Sequence, residues 1–544
     1  MGERPSWRLL SSLKPVVRWW LAATAFPPLS WAYRSVYWLL IHLAAKRLAS
    51  FRGTRAVYLM RGWAGEEAVP GVSDIDFTVI GDWESDERER LMEWYARLAR
   101  RIPLYDPILG AHTVEDFRKR YESTYHFQFR FTEGAASWKL LYGTDYVRQL
   151  EPLPWERALG GLHTEVKVWW MFFVRRAITA HGLRTDRVLN HSLCFKVIAE
   201  ILRMELALTG QGLLHSRKQV LEAAQQSLSS EANGLFGKLL RCAEGRYLRY
   251  DGAAFEEVHA FLLPHLEDLH RRLESHPGLE AGKAVAVKLD GPATEQFRSG
   301  AEESLVRDAV GFVQRQWNGC YRAAHAVCGL GFAMDEILLL IEAAPDKLPS
   351  LEQLLALSRF HQERSAPLRR RVNLYLLLPA AAYQIHDPAW DKPYQAVLLP
   401  QWNPEVFLGL AQPGACVDGE ATRGTERAAW TRPVEDFLAE EYDLFREALE
   451  DPVIYKTNNL DFLRAFWKCL QLEAVVRSAR AGQAVFPMTL PAVRRALAAR
   501  GVPAAPFLEQ FEEGYRSELE GRAADIGRLI PAAVSYLREV THDG

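Results

Sequence analysis

The segment Gly71-Val72-Ser73-Asp74-Ile75-Asp76-Phe77-Thr78-Val79-Ile80 constrains the fold more than any other stretch of the chain. A Gly- and Ser-containing turn gives way to apolar, aromatic and β-branched residues, the pattern of a strand opening after a turn. Side chains two apart on a strand share a face, so Asp74 and Asp76 are expected to converge at the strand's start. Two carboxylates that close repel each other unless a positive charge stands between them. A divalent cation meets that need, and Mg²⁺ suits carboxylate oxygens together with substrate phosphates. An isolated Asp-x-Asp can also be a plain turn whose side chains cap backbone groups.

The residues on either side favour the strand reading. Ala56-Val57-Tyr58-Leu59-Met60 is a short apolar run, and Arg61-Gly62-Trp63-Ala64-Gly65 interrupts it. Downstream, Glu84 to Arg100 places Leu91, Trp94, Tyr95 and Leu98 at helical spacing, with Glu and Arg on the other faces. Ile102 to Leu109 follows as a short apolar run holding one acid, Asp106, although Pro103 and Pro107 point to an edge or an early end. A rival third strand, His126-Phe127-Gln128-Phe129-Arg130-Phe131, alternates well but carries no acid. Trp138-Lys139-Leu140-Leu141-Tyr142-Gly143-Thr144-Asp145 closes the region.

In this order of strand, Gly turn, loop, Asp-x-Asp strand and helix, residues 55 to 150 resemble the nucleotidyltransferase superfamily, the DNA polymerase beta-like fold. Gly62 matches the family glycine. Trp63 stands where the family commonly has Ser, so backbone N–H groups alone would hold phosphates there. The Leu-Tyr-Gly-x-Asp run resembles a segment that closes such domains in bacterial members. The resemblance implies that Asp74, Asp76 and a third carboxylate, taken as Asp106, are catalytic and hold Mg²⁺ or Mn²⁺. It implies a nucleoside triphosphate, ATP first among them, bound near Gly62, Trp63 and Ser73. The implied reaction moves a nucleoside monophosphate to an acceptor hydroxyl and releases pyrophosphate, with the protein mainly positioning groups and neutralising charge. Two metal ions about 4 Å apart can clamp the attacking and leaving oxygens. In such proteins a helical domain follows the sheet. Lys196 and Arg203, on the helix expected at Asn190 to Leu208, are the candidates to reach the triphosphate; with Glu200 they also fit an ordinary solvated set of helix charges.

Across 544 residues, about three or four domain-sized units are expected. The fold class expected is α+β, a small mixed sheet within a mostly helical chain. The expected divisions are a helical segment over 1–54, the catalytic domain over 55–150, a cleft-closing helical domain over 151–276, a linker over 277–300 and a mainly helical domain over 301–544. Helices are expected over 162–181, 302–329, 333–344, 350–363, 434–450, 459–482 and 507–539. An exposed loop is expected over 412–427, and Trp390, Trp402 and Trp430 read as core residues. The chain shows no tandem repeat and no second Asp-x-Asp strand.

Net charge is −2, which announces no global basic field for nucleic acid and leans toward a small-molecule or protein acceptor. Cysteines 194, 242, 320, 328, 416 and 469 form no C-x-x-C pair, so a reducing cytoplasm with buried thiols is the simplest expectation. The apolar stretch over 16–45 is interrupted by Arg18, Pro27-Pro28, Arg34 and His42. A membrane span is not expected there. Ser30 to Ser50 reads as a helix packed on the core, or else as an interfacial helix with Trp and Arg at a membrane surface. The alternative to an enzyme is a degenerate member that binds nucleotide or scaffolds a partner.

Overall fold

The structure is a computed structural model. It describes residues 16–65, 67–106, 109–123, 137–150, 169–170, 173–174, 177, 184–211, 214, 216–227, 233–248, 254–274, 286–290, 300–328, 334–344, 346–368, 370–378, 382–386, 416–418, 459–487 and 489–542. The rival strand over 126–131, most of the helix expected over 162–181, the 412–427 loop apart from 416–418, the 434–450 helix and Trp390, Trp402 and Trp430 lie outside the described residues. The chain divides into two compact units, residues 1–262 and 263–544. Both are mixed α/β.

In the first unit, helices α1 (16–24) and α2 (Leu29–Ala49) precede a four-stranded sheet. Its strands are β1 (Thr54–Met60), β2 (Asp76–Gly81), β3 (Gly110–His112) and β4 (Lys139–Gly143), in the order β3-β2-β1-β4. β1 runs antiparallel to β2 and β4, and β2 runs parallel to β3. A one-turn helix α3 (Arg61–Ala64) follows β1, and the amphipathic helix α4 (Ser85–Arg101) makes the crossover from β2 to β3. Tyr37, Ile41, Leu48 and Tyr95 pack with Val57, Leu59, Phe77 and Val79 on one face of the sheet. On the other face, Phe117 and Tyr121 of α5 (Val114–Ser123) meet Ala56, Tyr58 and Ile80. Alternate β1 residues thus enter opposite cores, as the period of two requires. Beyond the sheet come α6 (Arg184–Leu206), α7 (Arg217–Ser227), α8 (Asn233–Glu244) and α9 (Ala254–Glu274).

The Leu-Tyr-Gly-x-Asp run has a structural explanation. Gly143 adopts φ +83°, and a Cβ there would stand 1.8 Å from the Arg55 carbonyl oxygen. Only glycine ends β4 in this way. Asp145 accepts a hydrogen bond from the Tyr58 hydroxyl at 3.2 Å and one from the Arg148 N–H.

The second unit corrects the expectation of a mainly helical region. After α10 (Gly300–Gln316) come strands β6 (Tyr321–Cys328) and β7 (Ile337–Ala343), helix α11 (Leu351–Ser365), and strands β8 (Val372–Leu377), β9 (Ala382–His386) and β10 (Cys416–Asp418). They form one sheet of order β10-β6-β7-β8-β9. Residues 321–328 and 337–343 were expected to be helical. Both strands are buried along nearly their whole described length, and a short apolar run carries no period that separates a buried strand from a buried helix. Cys320 and Cys328 accordingly flank one strand, not one helix. Part of the expected linker is also ordered: β5 (Ala286–Asp290) pairs in parallel with β11 (Gln483–Pro487). Helices α12 (Asn459–Arg480), α13 (Leu490–Ala498), α14 (Leu508–Leu519) and α15 (Ile530–His542) complete the unit.

The two sheets share a plan that the sequence conceals, which corrects the expectation of no repeat. In each, a helix and a glycine at positive φ (Gly53, Gly319) lead into a first strand. An antiparallel second strand, a crossover helix and a parallel third strand follow, and a later antiparallel strand joins the first strand's free side. Even the entry to the parallel pair repeats: Ile75 N–H donates to the Leu104 carbonyl and Ile337 N–H to the Arg371 carbonyl, each at 2.9 Å.

Helix α12 is buried on all sides and brings ionic groups into the core. Arg464 donates to Asp335 at 2.8 Å and contacts Asp461 at 3.4 Å, while Arg371 reaches Asp461 at 3.3 Å and the Tyr515 hydroxyl donates to Asp335. Arg371 is therefore a buried partner of Asp461. Burial raises the Asp335 pKa, but Arg464, Tyr515 and Arg371 outweigh it and hold the carboxyl below its ordinary value. Removing one partner strands a buried charge. Arg464→Ala is expected to cost about 3–5 kcal/mol in a urea melt, and Asp335→Asn added to Arg464→Met to recover part of the loss.

Candidate active site

The sheet of the first unit gathers acidic residues at one corner. The turn after β1 places Arg61 at φ +56°, in the left-handed region that a residue with a Cβ enters only under constraint. Its side chain reaches Asp76 at 3.1 Å and Asp106 at 3.8 Å. Asp106 arrives through the pairing of Ile75 with Tyr105, and its N–H donates to the Ile75 carbonyl at 3.0 Å. Asp106 thus lies beside Asp76, next to the isolated bridge and four residues before β3. The Arg61 guanidinium is shared by the two carboxyls. Burial above all, and then the Asp106 charge, raise the pKa of Asp76 to about 7 against the opposing effect of Arg61 and Lys196.

Asp74 does not join that pair. It precedes the strand proper and forms an ion pair with Arg18 of α1, whose guanidinium also donates to the Pro103 carbonyl at 3.3 Å. Arg18 is buried and feels the charges of Asp76 and Asp106 as well. Among the described residues, no group of three or more His, Cys, Asp or Glu side chains is disposed to hold a metal ion. Of the three acids expected to act together, Asp76 and Asp106 share Arg61, while Asp74 is turned to Arg18. Two observations bear on whether a cation fits. Asp76 and Asp106 offer adjacent hard oxygens whose mutual repulsion is only partly relieved, which suits Mg²⁺ or Mn²⁺. Arg61, the cation now between them, has a side chain 65% exposed.

The loop between the turn and the acids is fixed from several sides. The Ser73 hydroxyl accepts the Val69 N–H at 3.0 Å and lies against Gly62. Gly71 N–H donates to the Tyr37 hydroxyl at 3.0 Å. Gly71 has φ +82°, and a Cβ there would stand 2.3 Å from the Arg18 carbonyl oxygen, so α1 packs directly on this loop. Trp63 is buried and stacked on Tyr37 with ring centroids 4.3 Å apart. Its ring thus points into the core, while Gly62 packs against Ser73 and Ala68.

Lys196 on α6 faces the acids. It is half-buried, burial and then Arg217 lower its pKa to about 8, and Asp76 opposes them. Arg203 lies elsewhere: it is buried and paired with Glu200, which also binds Arg217 at 2.8 Å. The expected solvated Lys–Glu–Arg face is corrected in the same way, because Glu200 is 1% exposed. Sequence reasoning missed Arg18 and Arg61. Arg61 adjoins the family glycine, but nothing in the sequence around Arg18 links it to an acid 56 positions away.

The second sheet supplies an internal comparison. One residue beyond its matching entry hydrogen bond, Leu338 pairs with Asn373, where the first sheet has Asp76 and Asp106. A cleft of about 540 Å³ in the first unit, lined by Trp31, Arg34, Ala68 and Arg246 among others, contains none of the three acids.

Asp76 fixes a pH signature. Its folded pKa of about 7 exceeds the unfolded value of about 3.9, so the folded state binds more protons between these limits. Stability contributed by this group is full at low pH and is lost as pH rises toward 7. Asp76→Asn is expected to raise Tm at pH 8 in the presence of chelator, by the equivalent of a few kcal/mol at most, and to leave it nearly unchanged at pH 4. No protein-family profile matches the chain and no curated protein matches it, so the site is read from its own residues.

Proposed function

We propose that the first unit is a metal-dependent nucleotidyltransferase domain, moving a nucleoside monophosphate from a triphosphate such as ATP to a hydroxyl of a small-molecule or protein acceptor. The observation that carries this reading is the Asp76–Asp106 pair at the entry of adjacent strands, with Arg61 and Lys196 turned toward it. In the transfer, the acceptor oxygen bonds to the α-phosphorus, the α–β bridging bond breaks and pyrophosphate leaves. One of the two carboxylates takes the acceptor's proton. Lys196 and Arg61 supply the positive charge that a polyphosphate needs. Mg²⁺ or Mn²⁺ held by Asp76 and Asp106 would neutralise charge on the phosphates. Asp74 would join them only on release from Arg18.

A second reading, a nucleotide-binding or scaffolding module without turnover, draws on that same Arg18–Asp74 ion pair. Incubation with each labelled triphosphate, Mg²⁺ or Mn²⁺ and cell extract separates the two. Label transfer is expected, and Asp76→Asn or Asp106→Asn is expected to lower it by about a hundredfold or more. Metal-dependent nucleotide binding with no transfer under any condition would favour the nucleotide-binding module, and neither binding nor transfer would leave the scaffolding reading alone.

A further inference from the structure

Helix α2 is apolar on two opposite faces. Tyr37, Ile41, Ala44, Ala45 and Leu48 are buried against the sheet. Turned roughly half a revolution away, Val36, Leu39 and Leu43 are 51%, 58% and 57% exposed, and the same stripe continues to Lys46. A helix at a protein–water boundary ordinarily presents a polar outer face. At the elbow between α1 and α2, Trp20, Phe26 and Trp31 are also exposed, Trp31 at 67%. Scattered exposed apolar residues need no explanation, but a continuous patch of this kind marks an interaction surface.

The charge pattern selects the partner. Residues 16–55 contain six basic residues and no acidic one, in a chain whose net charge is −2. Arg34, Lys46, Arg47, Arg52 and Arg55 of this set are exposed. A long apolar stripe flanked by cations and by Trp is the composition that lies in a lipid interface, with Trp at headgroup depth and basic side chains reaching anionic headgroups. The 21 residues of α2 extend about 30 Å, enough to lie along a bilayer surface. No helix among the described residues is long and apolar enough to cross a membrane. We propose that the outer face of α1 and α2 docks the protein in the plane of an anionic lipid bilayer. The site stands close to this surface, because α1 carries both the exposed Trp20 and the Arg18 that binds Asp74.

The test is co-sedimentation of the full chain with vesicles of phosphatidylcholine alone and of phosphatidylcholine and phosphatidylglycerol in equal parts. Binding is expected to the mixed vesicles, to weaken with added salt, and to be lost by about tenfold or more in the triple variant Trp31→Ser, Leu39→Gln, Leu43→Gln. All three side chains are exposed, so the variant is expected to melt as the parent does. As a check that needs no variant, brominated lipid is expected to quench tryptophan emission of the parent on binding. Failure of the parent to bind mixed vesicles, or binding undiminished in a folded triple variant, would overturn the proposal. So would a dimer in solution that the triple variant dissolves without any vesicle binding, which would assign the face to a second copy.

Discussion

Two carboxyls forced together at the start of adjacent strands set the terms for the first unit. The pairing of Ile75 with Tyr105 dictates that Asp76 and Asp106 meet, whatever their charge prefers. In a buried corner such a pair must bind a proton, a cation or both. The surrounding chain supplies cations from three separate elements: Arg61 from the turn after β1, Arg18 from α1 and Lys196 from α6. The strained backbone at Arg61 and the close approach of α1 to Gly71 both follow from bringing positive charge to this corner.

The second unit answers the same architectural problem differently. With Leu338 and Asn373 at the corresponding positions, its strand entry needs no counter-charge. Its ionic groups lie in the cluster around Asp335, Arg464 and Asp461, which ties α12 to the sheet. The same plan of helix, glycine, two antiparallel strands and a crossover therefore supports a charged surface corner in one unit and a sealed core in the other. Fold alone does not assign chemistry, and the side chains at one strand entry make the difference.

The sequence made much of the first unit legible. A Gly turn, an Asp-x-Asp strand and a strongly amphipathic helix are local signals, each set by residues within a few positions of one another. They located β1, β2 and α4, and Gly143 of the Leu-Tyr-Gly run ends β4 where only glycine fits. The reading failed where burial erased the pattern. Strand β7 is buried along its whole length and β6 from Ala323 to Val327, so no exposed–buried alternation marked them, they passed for helix, and the repeat of the sheet plan went unseen with them.

The sequence by itself determined that two acids open a strand in a mixed α/β chain and that a third lies within reach after a helix. Only the tertiary structure decided how those acids are used: Asp76 joined to Asp106, Asp74 turned to Arg18, Trp63 folded into the core and Arg203 withdrawn to Glu200. The reason is one of range. Strand direction and side-chain period are fixed by neighbours along the chain. Which cation a carboxylate meets depends on how distant helices pack, and an arginine on α1 carries no mark in its own sequence of the aspartate it will find.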